Sequence, residues 1–176
     1  LSLADCTSGS KHIPPSYKVA SREQRLSMLA GLIDTDGSLK RTSYDYVSKS
    51  EQLARDLVFI ARSVGLAAYV RPKQAKCQTG AGGTYWRVSI SGHTNQIPCR
   101  VARKQAPRRR QKKSVLRTGF NIEPIGEGEY CGFHLDGDHL YLDDSFTVHH
   151  NSGKTAVMAR ICKDAVTRWR GRGLIL

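Results

Sequence analysis

The 176-residue sequence predicts an α/β domain, followed by a short β-rich segment and then by the first helix of a further α/β domain. Two observations support this prediction. Hydrophobic residues in the first two thirds of the chain alternate between helical and strand periodicity, which is typical of a compact α/β unit. From Phe120 the pattern changes to short strands broken by glycine and acidic turns, and after Ser152 it becomes helical again.

The first long helix is predicted to begin after Ser21, because Ser21 and Gln24 have the spacing of a capping box. It should end between Asp34 and Gly37, and residues 38–47 are predicted to form a strand or a hairpin. The apolar residues of the helix share one face: Leu26, Leu29, Ala30 and Ile33.

A second capping box is predicted at Ser48 and Glu51, and the helix that follows should be closed by Gly65. Strands are predicted at 66–70 and 85–91, with a turn at 80–83. The helix carries one apolar face: Leu53, Leu57, Ile60, Ala61 and Val64. In the β-rich segment, strands are predicted at 120–125, 129–135, 139–142 and 146–149.

Charge divides the chain into three blocks. Residues 1–117 contain 22 Lys/Arg and 7 Asp/Glu, a net charge of +15, which is suited to binding a polyanion. Residues 118–151 contain 7 Asp/Glu and no Lys or Arg, so this block would repel DNA. Residues 152–176 return to a net charge of +5. The blocks indicate three units with different partners.

Composition excludes several classes of protein. No segment approaches 18 consecutive apolar residues, so no membrane span is predicted. The N-terminus lacks the features of a signal peptide, and the absence of an initiator Met suggests a fragment. The scattered cysteines lack a Cys-x-x-Cys pair, which argues against zinc and disulfides and favours a cytoplasmic location. They are Cys6, Cys77, Cys99, Cys131 and Cys162.

Residues 29–37 read Leu-Ala-Gly-Leu-Ile-Asp-Thr-Asp-Gly, which resembles the signature of LAGLIDADG homing endonucleases and differs at Thr35. The resemblance implies an endonuclease half-domain in which two such helices pack through small residues and bring carboxylates to double-stranded DNA. Asp36 is then the catalytic carboxylate and binds Mg²⁺, whereas Asp34 helps to end the helix. One copy of the motif is present, so the second would come from an upstream half or another subunit, and the isolated fragment is expected to be inactive alone. A buried helix ending in an acidic turn is the structural alternative.

Basic residues are concentrated at 100–117, where nine Lys/Arg occur without an acid. Beside a nuclease half-domain, phosphate contact is favoured over a merely solvated charge run. Lys104 is the candidate for a basic residue that assists at the scissile phosphate. Tyr44 and Tyr85 on the strands are candidates for base contacts. The DNA-binding candidates are Lys40, Arg41, Arg71, Arg87, Arg103, Arg108, Arg109 and Arg110.

Residues 129–151, with their closing His-His-Asn before Ser152, resemble the C-terminal part of the intein splicing domain, the Hint domain. The resemblance implies that Asn151 attacks its own backbone carbonyl and breaks the bond to Ser152. His150 assists the scissile peptide, and His139 orients or deprotonates the Asn151 side chain. Ser152 would accept the upstream chain as an ester.

Gly153, Lys154 and Thr155 form the second half of a phosphate-binding loop and resemble the start of a superfamily 2 helicase. In such a loop Lys154 reaches the phosphates of ATP and Thr155 binds Mg²⁺. The preceding loop glycine is missing, because Val148 occupies its place. The loop would therefore be complete only after removal of the upstream segment.

These motifs predict three parts: a LAGLIDADG endonuclease half-domain with a basic tail (1–117), a C-terminal Hint segment (118–151) and the start of a P-loop host protein (152–176). The partners are double-stranded DNA and the missing N-terminal intein half. A stand-alone LAGLIDADG-derived nucleic-acid-binding protein is the alternative, which explains the basic block but leaves the His-Asn-Ser series unexplained. An ATPase fragment with an unrelated extension would need glycine at position 148.

Overall fold

In the computed structural model the chain divides into two units, Leu1–Thr118 and Gly119–Leu176. The described residues are 6–76, 82–110, 114, 115, 117, 121, 123, 124, 126–129, 133 and 135–151. The predicted P-loop segment, from Ser152 onward, lies outside them. None of the helices in the described parts is long and apolar enough to cross a membrane.

The first unit is an α/β domain, as predicted. Its elements are helices α1 (Pro15–Lys18), α2 (Arg22–Asp36) and α3 (Glu51–Ser63), strands β1 (Ser38–Lys40), β2 (Ser43–Ser48), β3 (Ala67–Lys76) and β4 (Gly82–Ser91), and short 3₁₀ turns at Thr94–Gln96 and Ala102–Lys104. The short α1 and the two 3₁₀ turns have no counterpart in the sequence prediction.

Helix α2 begins at the predicted capping box. The Ser21 hydroxyl accepts the Gln24 N–H at 3.3 Å, and the Gln24 side chain accepts the Ser21 N–H at 3.2 Å. All four residues of the predicted apolar face are buried. Gly37 ends the helix in contact with its last turn, because a Cβ there would lie 2.7 Å from the Cα of Ile33. Only glycine fits that position without a shift of the backbone.

The N-cap of helix α3 is Ser50, so the prediction of a capping box at Ser48 and Glu51 is wrong. The Ser50 hydroxyl accepts the Leu53 N–H at 3.1 Å. Ser48 still belongs to β2, where it pairs with Trp86, and this pairing removes it from the helix. Gly65 follows α3 with a φ of +84°, a left-handed conformation that favours glycine, as the predicted closure requires.

The four strands form one antiparallel sheet in the order β1-β2-β4-β3. Strand β3 is longer than predicted, because its pairing with β4 continues as far as Lys76 opposite Gly82. Gly82 and Gly83 therefore belong to β4, although a turn was predicted at 80–83. Both long helices pack on one face of the sheet, around buried residues such as Tyr44 and Val88. Among the described residues, no helix packs on the other face, which is called the open face below.

Buried Asp56 of α3 fixes the N-terminal segment to the domain. Its carboxylate accepts the backbone N–H of Ile13 at 2.8 Å, the Gln52 amide at 2.8 Å and the ammonium of Lys18. A buried carboxylate needs such partners to remain charged. The contacts hold α1 against the start of α3.

In the second unit, strands β5 (Leu140–Leu142) and β6 (Val148–His150) form an antiparallel pair. They correspond to the last two strands predicted for this part of the chain. The two earlier predicted strands, 120–125 and 129–135, lie partly outside the described residues. The residues of those ranges that the structure does describe are in irregular conformations.

Candidate functional sites

At the C-terminal end of α2, one acidic and one basic side chain form hydrogen bonds with backbone groups. The Asp34 carboxylate accepts the N–H groups of Arg100 at 2.7 Å and Val101 at 3.2 Å. Asp34 was predicted only to help end the helix. Its carboxylate also binds the segment that follows β4 and holds it beside the end of α2.

Lys104 lies beneath the same helix end, with 7% of its surface exposed. Its ammonium donates to the carbonyl oxygens of Ile33 at 2.8 Å, Asp34 at 2.8 Å and Thr35 at 3.2 Å. The last carbonyls of a helix have no partner within it and carry partial negative charge, so a cation is favourable there. All three donors of the ammonium are thereby used. Lys104 faces the helix end and not the solvent.

Tyr44 of β2 binds the backbone on both sides of Gln105. Its hydroxyl donates to the Lys104 carbonyl oxygen at 2.5 Å and accepts the Ala106 N–H at 3.2 Å. Burial, with the neighbouring Cys99 thiol, raises the pKa of the Tyr44 hydroxyl. The prediction of Tyr44 as a base contact is therefore wrong, because alternation along β2 directs this side chain into the core.

Asp36 is exposed at the end of α2, two residues beyond Asp34. Burial raises the pKa of the Tyr46 hydroxyl, and the nearby negative charge of Asp36 raises it further. The described residues contain no cluster of three His, Cys, Asp or Glu side chains that could hold a metal. A single exposed carboxylate nevertheless fits Mg²⁺, which commonly takes one or two carboxylates and completes its shell with water and phosphate.

The open face of the sheet carries three of the four DNA-binding candidates of the strands. Lys40 of β1, Arg71 of β3 and Arg87 of β4 lie on this face, whereas Arg41 lies in the turn between β1 and β2 with a φ of +56°. Tyr85 pairs with Lys73 on the same face. The face therefore combines cations with an aromatic side chain.

Asp45 lies among these cations, and sequence reasoning did not identify it. Its carboxylate accepts the Arg87 guanidinium, the Ser89 hydroxyl at 2.8 Å and the Lys40 ammonium at 3.2 Å. Burial by itself would raise the pKa of the carboxyl, but these three donors outweigh burial and lower the pKa to about 2. Alternation along β2 could have placed Asp45 on the open face, but its partners come from two other strands.

The basic tail follows Lys104 along the chain. Arg103 lies in the second 3₁₀ turn and is exposed, as are Arg108 and Arg110, while Arg109 is partly buried. The tail therefore presents cations at the surface beyond the buried Lys104.

In the second unit the structure brings His139, His150 and Asn151 together. The rings of the two histidines have centroids 5.9 Å apart, and the Asn151 N–H donates to the His139 carbonyl oxygen at 2.7 Å. The Asn151 amide donates to the Phe133 carbonyl oxygen. His139 Nδ1 lies 2.6 Å from the Leu135 carbonyl oxygen. Because a carbonyl can only accept, Nδ1 carries the hydrogen and Nε2 is the basic nitrogen of the neutral ring.

His149 forms a second pair that sequence reasoning did not include. Its Nε2 lies 2.9 Å from an Asp143 carboxylate oxygen, and its ring stacks on Tyr141 with centroids 5.2 Å apart. The hydrogen bonds from His149, Thr147 and Ser145 lower the pKa of the Asp143 carboxyl. The pairing of Tyr141 opposite His149 in β5 and β6 produces this arrangement.

Comparison with known proteins gives a matching domain and distant relatives, among them a helicase and a proton ATPase. The replicative DNA helicase DnaB of Mycobacterium intracellulare is 27% identical over 162 residues, which cover 88% of this chain and 28% of that protein. The catalytic subunit of the V-type proton ATPase of Candida tropicalis is 25% identical over 158 residues, which cover 82% of this chain and 14% of that protein. The chain thus spans less than a third of either relative. The family model for the LAGLIDADG-like domain matches residues 23–98, and this part of the chain is therefore a LAGLIDADG-like domain.

Proposed function

We propose that residues 1–117 act as half of a homing endonuclease that cleaves double-stranded DNA with Asp36 as its catalytic carboxylate. The observation that carries this proposal is the end of α2, where Asp36 is exposed, the preceding carbonyls are bound by Lys104, and Asp34 binds the backbone of the segment after β4. Hydrogen bonds to charged side chains fix this backbone more firmly than neutral ones would. A LAGLIDADG-like domain implies a nucleic-acid-binding or endonuclease function, and the arrangement suits cleavage.

The second carboxylate would come from a second α2 helix, in another subunit or an upstream half. Gly31 supports this pairing, because it is exposed and a Cβ built on it would meet nothing within 4 Å. Glycine inside a helix costs about 1 kcal/mol relative to alanine. No contact within the described chain requires it at position 31. Close approach of a partner helix would explain the choice.

Two Asp36 carboxylates at a helix interface would provide the oxygen ligands for Mg²⁺, together with water and DNA phosphate. The metal, when bound, would activate water and stabilise the displaced phosphate oxygen. The chain's own residues position the carboxylate and bind the DNA. Asp34 and Lys104 fix the position of Asp36, and the cations of the open sheet face hold the phosphate backbone.

The experiment is a cleavage assay with the full chain, alone and mixed with an upstream half that supplies the second motif, on a plasmid library that carries randomised inserts, in the presence of Mg²⁺. We expect no cuts by the chain alone, cuts at a subset of inserts for the mixture with the wild type, and no double-strand cuts for the mixture with Asp36→Asn. Glu51→Gln, which removes an exposed carboxylate from α3, is the control and should cut like the wild type. Binding without cleavage by the mixture of the wild type and the upstream half would favour the alternative, a nucleic-acid-binding protein that has no nuclease activity.

A second function, C-terminal splicing, is favoured by the close placement of His139, His150 and Asn151. In the proposed step the Asn151 side-chain nitrogen attacks the Asn151 carbonyl carbon, which forms a succinimide and releases the amino group of residue 152. His139 would accept a proton from the attacking amide through Nε2, and His150 would protonate the leaving nitrogen. Ser152 would hold the upstream chain as an ester before the amide forms.

This step is tested by intact-mass measurement after the chain is mixed with an N-terminal Hint half. We expect cleavage between Asn151 and Ser152 in the wild type and its loss in Asn151→Ala. Because the N-terminal half supplies the missing strands, the chain alone should remain intact. Equal cleavage in the wild type and the variant would exclude the splicing role.

The host is proposed to be a helicase-like ATPase, with residues 153–155 as part of a loop for ATP and Mg²⁺ that forms after splicing. The names of the two relatives describe different activities, a helicase and a proton ATPase. An element inserted into both kinds of protein would account for matches that cover most of this chain and only a small part of either relative.

A further inference from the structure

Arg71 and Arg87 lie directly opposite each other on the open face of the sheet, in the pairing of β3 with β4. Like charges at directly opposite positions destabilise a strand pair. The Asp45 carboxylate compensates the charge of Arg87, and an anion bound on this face would compensate the charge of Arg71. The position suits a DNA ligand whose major groove accommodates strands.

The two arginines differ in how they are held. Arg87 donates through Nη2 to the carboxylate of Asp45, which Ser89 and Lys40 also hold. Asp45 has only 13% of its side chain exposed, so the position of the carboxylate is fixed by the strands around it. Arg71 is exposed, and no hydrogen bond or ion pair is seen for it among the described residues.

This difference has a chemical consequence. Base readout by arginine uses two parallel N–H donors toward O6 and N7 of guanine, which requires a guanidinium plane of fixed orientation. The guanidinium has five N–H donors, and Asp45 engages one nitrogen, so two neighbouring donors remain for a base. The Asp45 carboxylate also repels phosphate, which reduces the attraction of Arg87 for the DNA backbone.

Building on the DNA-binding function proposed above, we propose that Asp45 makes Arg87 the guanine-reading residue of this sheet, whereas Arg71 contacts phosphate. Asp45 is a positioning residue in this scheme, because it acts through Arg87 and does not touch the base. Ser89 contributes by donating to the second carboxylate oxygen of Asp45.

The experiment is selection from a pool of random DNA duplexes with the full 176-residue chain, followed by affinity measurements at several salt concentrations. The variants are Arg87→Lys, Arg71→Lys, Arg71→Ala and Asp45→Asn. The two lysine variants are matched, because each keeps its charge and the two positions face each other. Circular dichroism of each variant verifies that the fold is retained.

For the wild type we expect a selected motif with a guanine at one position, preferred roughly 5- to 150-fold over other bases. Arg87→Lys and Asp45→Asn should both lose the preference at that position, and Asp45→Asn should also bind unrelated duplexes more tightly. Arg71→Lys should retain the motif. Arg71→Ala should bind all sequences more weakly, with the salt slope of the affinity reduced by about one.

Retention of the guanine preference by Arg87→Lys would overturn the inference, as would an equal loss in Arg71→Lys. Binding of the wild type without any sequence preference would also overturn it, while DNA binding itself would stand. Failure of the wild type to bind any duplex would instead overturn the proposed function together with the inference.

Discussion

The ammonium nitrogen of Lys104 lies 2.8 Å from the carbonyl oxygen of Ile33, in the last turn of α2. Seventy-one residues separate the two in the sequence. The bond joins the helix that carries Asp36 to the segment after β4, and it places a positive charge at the negative end of the helix dipole. The position of the exposed carboxylate therefore depends on a distant part of the chain.

We expect Lys104→Met to lower the free energy of unfolding by about 2 kcal/mol or more, because three carbonyl groups at the end of α2 would lose a charged donor. Urea unfolding measures the change. Arg103→Met is the control, since the neighbouring side chain is exposed and its replacement should change stability by about 0.5 kcal/mol at most. Equal effects of the two substitutions would show that Lys104 does not cap the helix.

Substitution of Asp34 should lower the stability of the fold, whereas substitution of Asp36 should abolish DNA cleavage. Asp34→Ala removes the acceptor of two backbone N–H groups, so we expect a loss of about 1–3 kcal/mol in the free energy of unfolding. Asp36→Ala should leave stability nearly unchanged and abolish Mg²⁺-dependent DNA cleavage. Unfolding and cleavage are measured on both variants. A destabilised Asp36→Ala protein would contradict the assignment of Asp36 to the surface.

We expect Tyr44→Phe to lower the free energy of unfolding by about 1–2 kcal/mol, because the Lys104 carbonyl and the Ala106 N–H each lose a partner. Tyr46→Phe is the matched control: Tyr46 is buried on the same strand, and no hydrogen bond of its hydroxyl is seen within the described residues. Urea midpoints compare the two variants. The prediction fails if Tyr46→Phe is the more destabilising substitution.

Protonation of Asp45 at low pH should lower the free energy of unfolding. The pKa of its carboxyl is lowered from 3.8 to about 2 in the folded protein, so the folded state favours the charged form. The resulting stability is present above pH 4 and is lost as the pH falls through 4 toward 2. The loss should amount to about 2 kcal/mol.

Unfolding measured from pH 5 to pH 2 on the wild type and on Asp45→Asn isolates this contribution. The difference in stability between the two proteins should shrink toward low pH, because other carboxyl groups titrate equally in both. A constant difference across this range would show that the carboxylate is not held by Arg87, Ser89 and Lys40.

The helices of the first unit could be predicted because their signals are local. The capping box at Ser21 and the apolar face of α2 depend on residues three or four positions apart, and both are confirmed. The start of α3 was placed two residues too early, because Ser48 and Ser50 offer similar hydroxyl groups. Only the pairing of Ser48 with Trp86 in the sheet decides between them.

The exposed carboxylate of the candidate site was predicted from a motif, but its supports were not. Asp34 was expected only to end the helix, although its carboxylate binds the backbone of Arg100 and Val101. Lys104 was expected at the phosphate, and its burial beneath α2 depends on the path of the chain after β4. Such contacts span more than sixty residues and leave no periodic signal.

The cap on α2 also has a consequence for synthesis of the protein. During translation the helix leaves the ribosome long before residues 99–106. Its last carbonyls therefore lack their hydrogen-bond donor until Lys104 has been synthesised. The LAGLIDADG-like match stops at residue 98, just before that lysine. A protein cut at this boundary would contain the whole signature and the whole sheet, yet its helix would end uncapped.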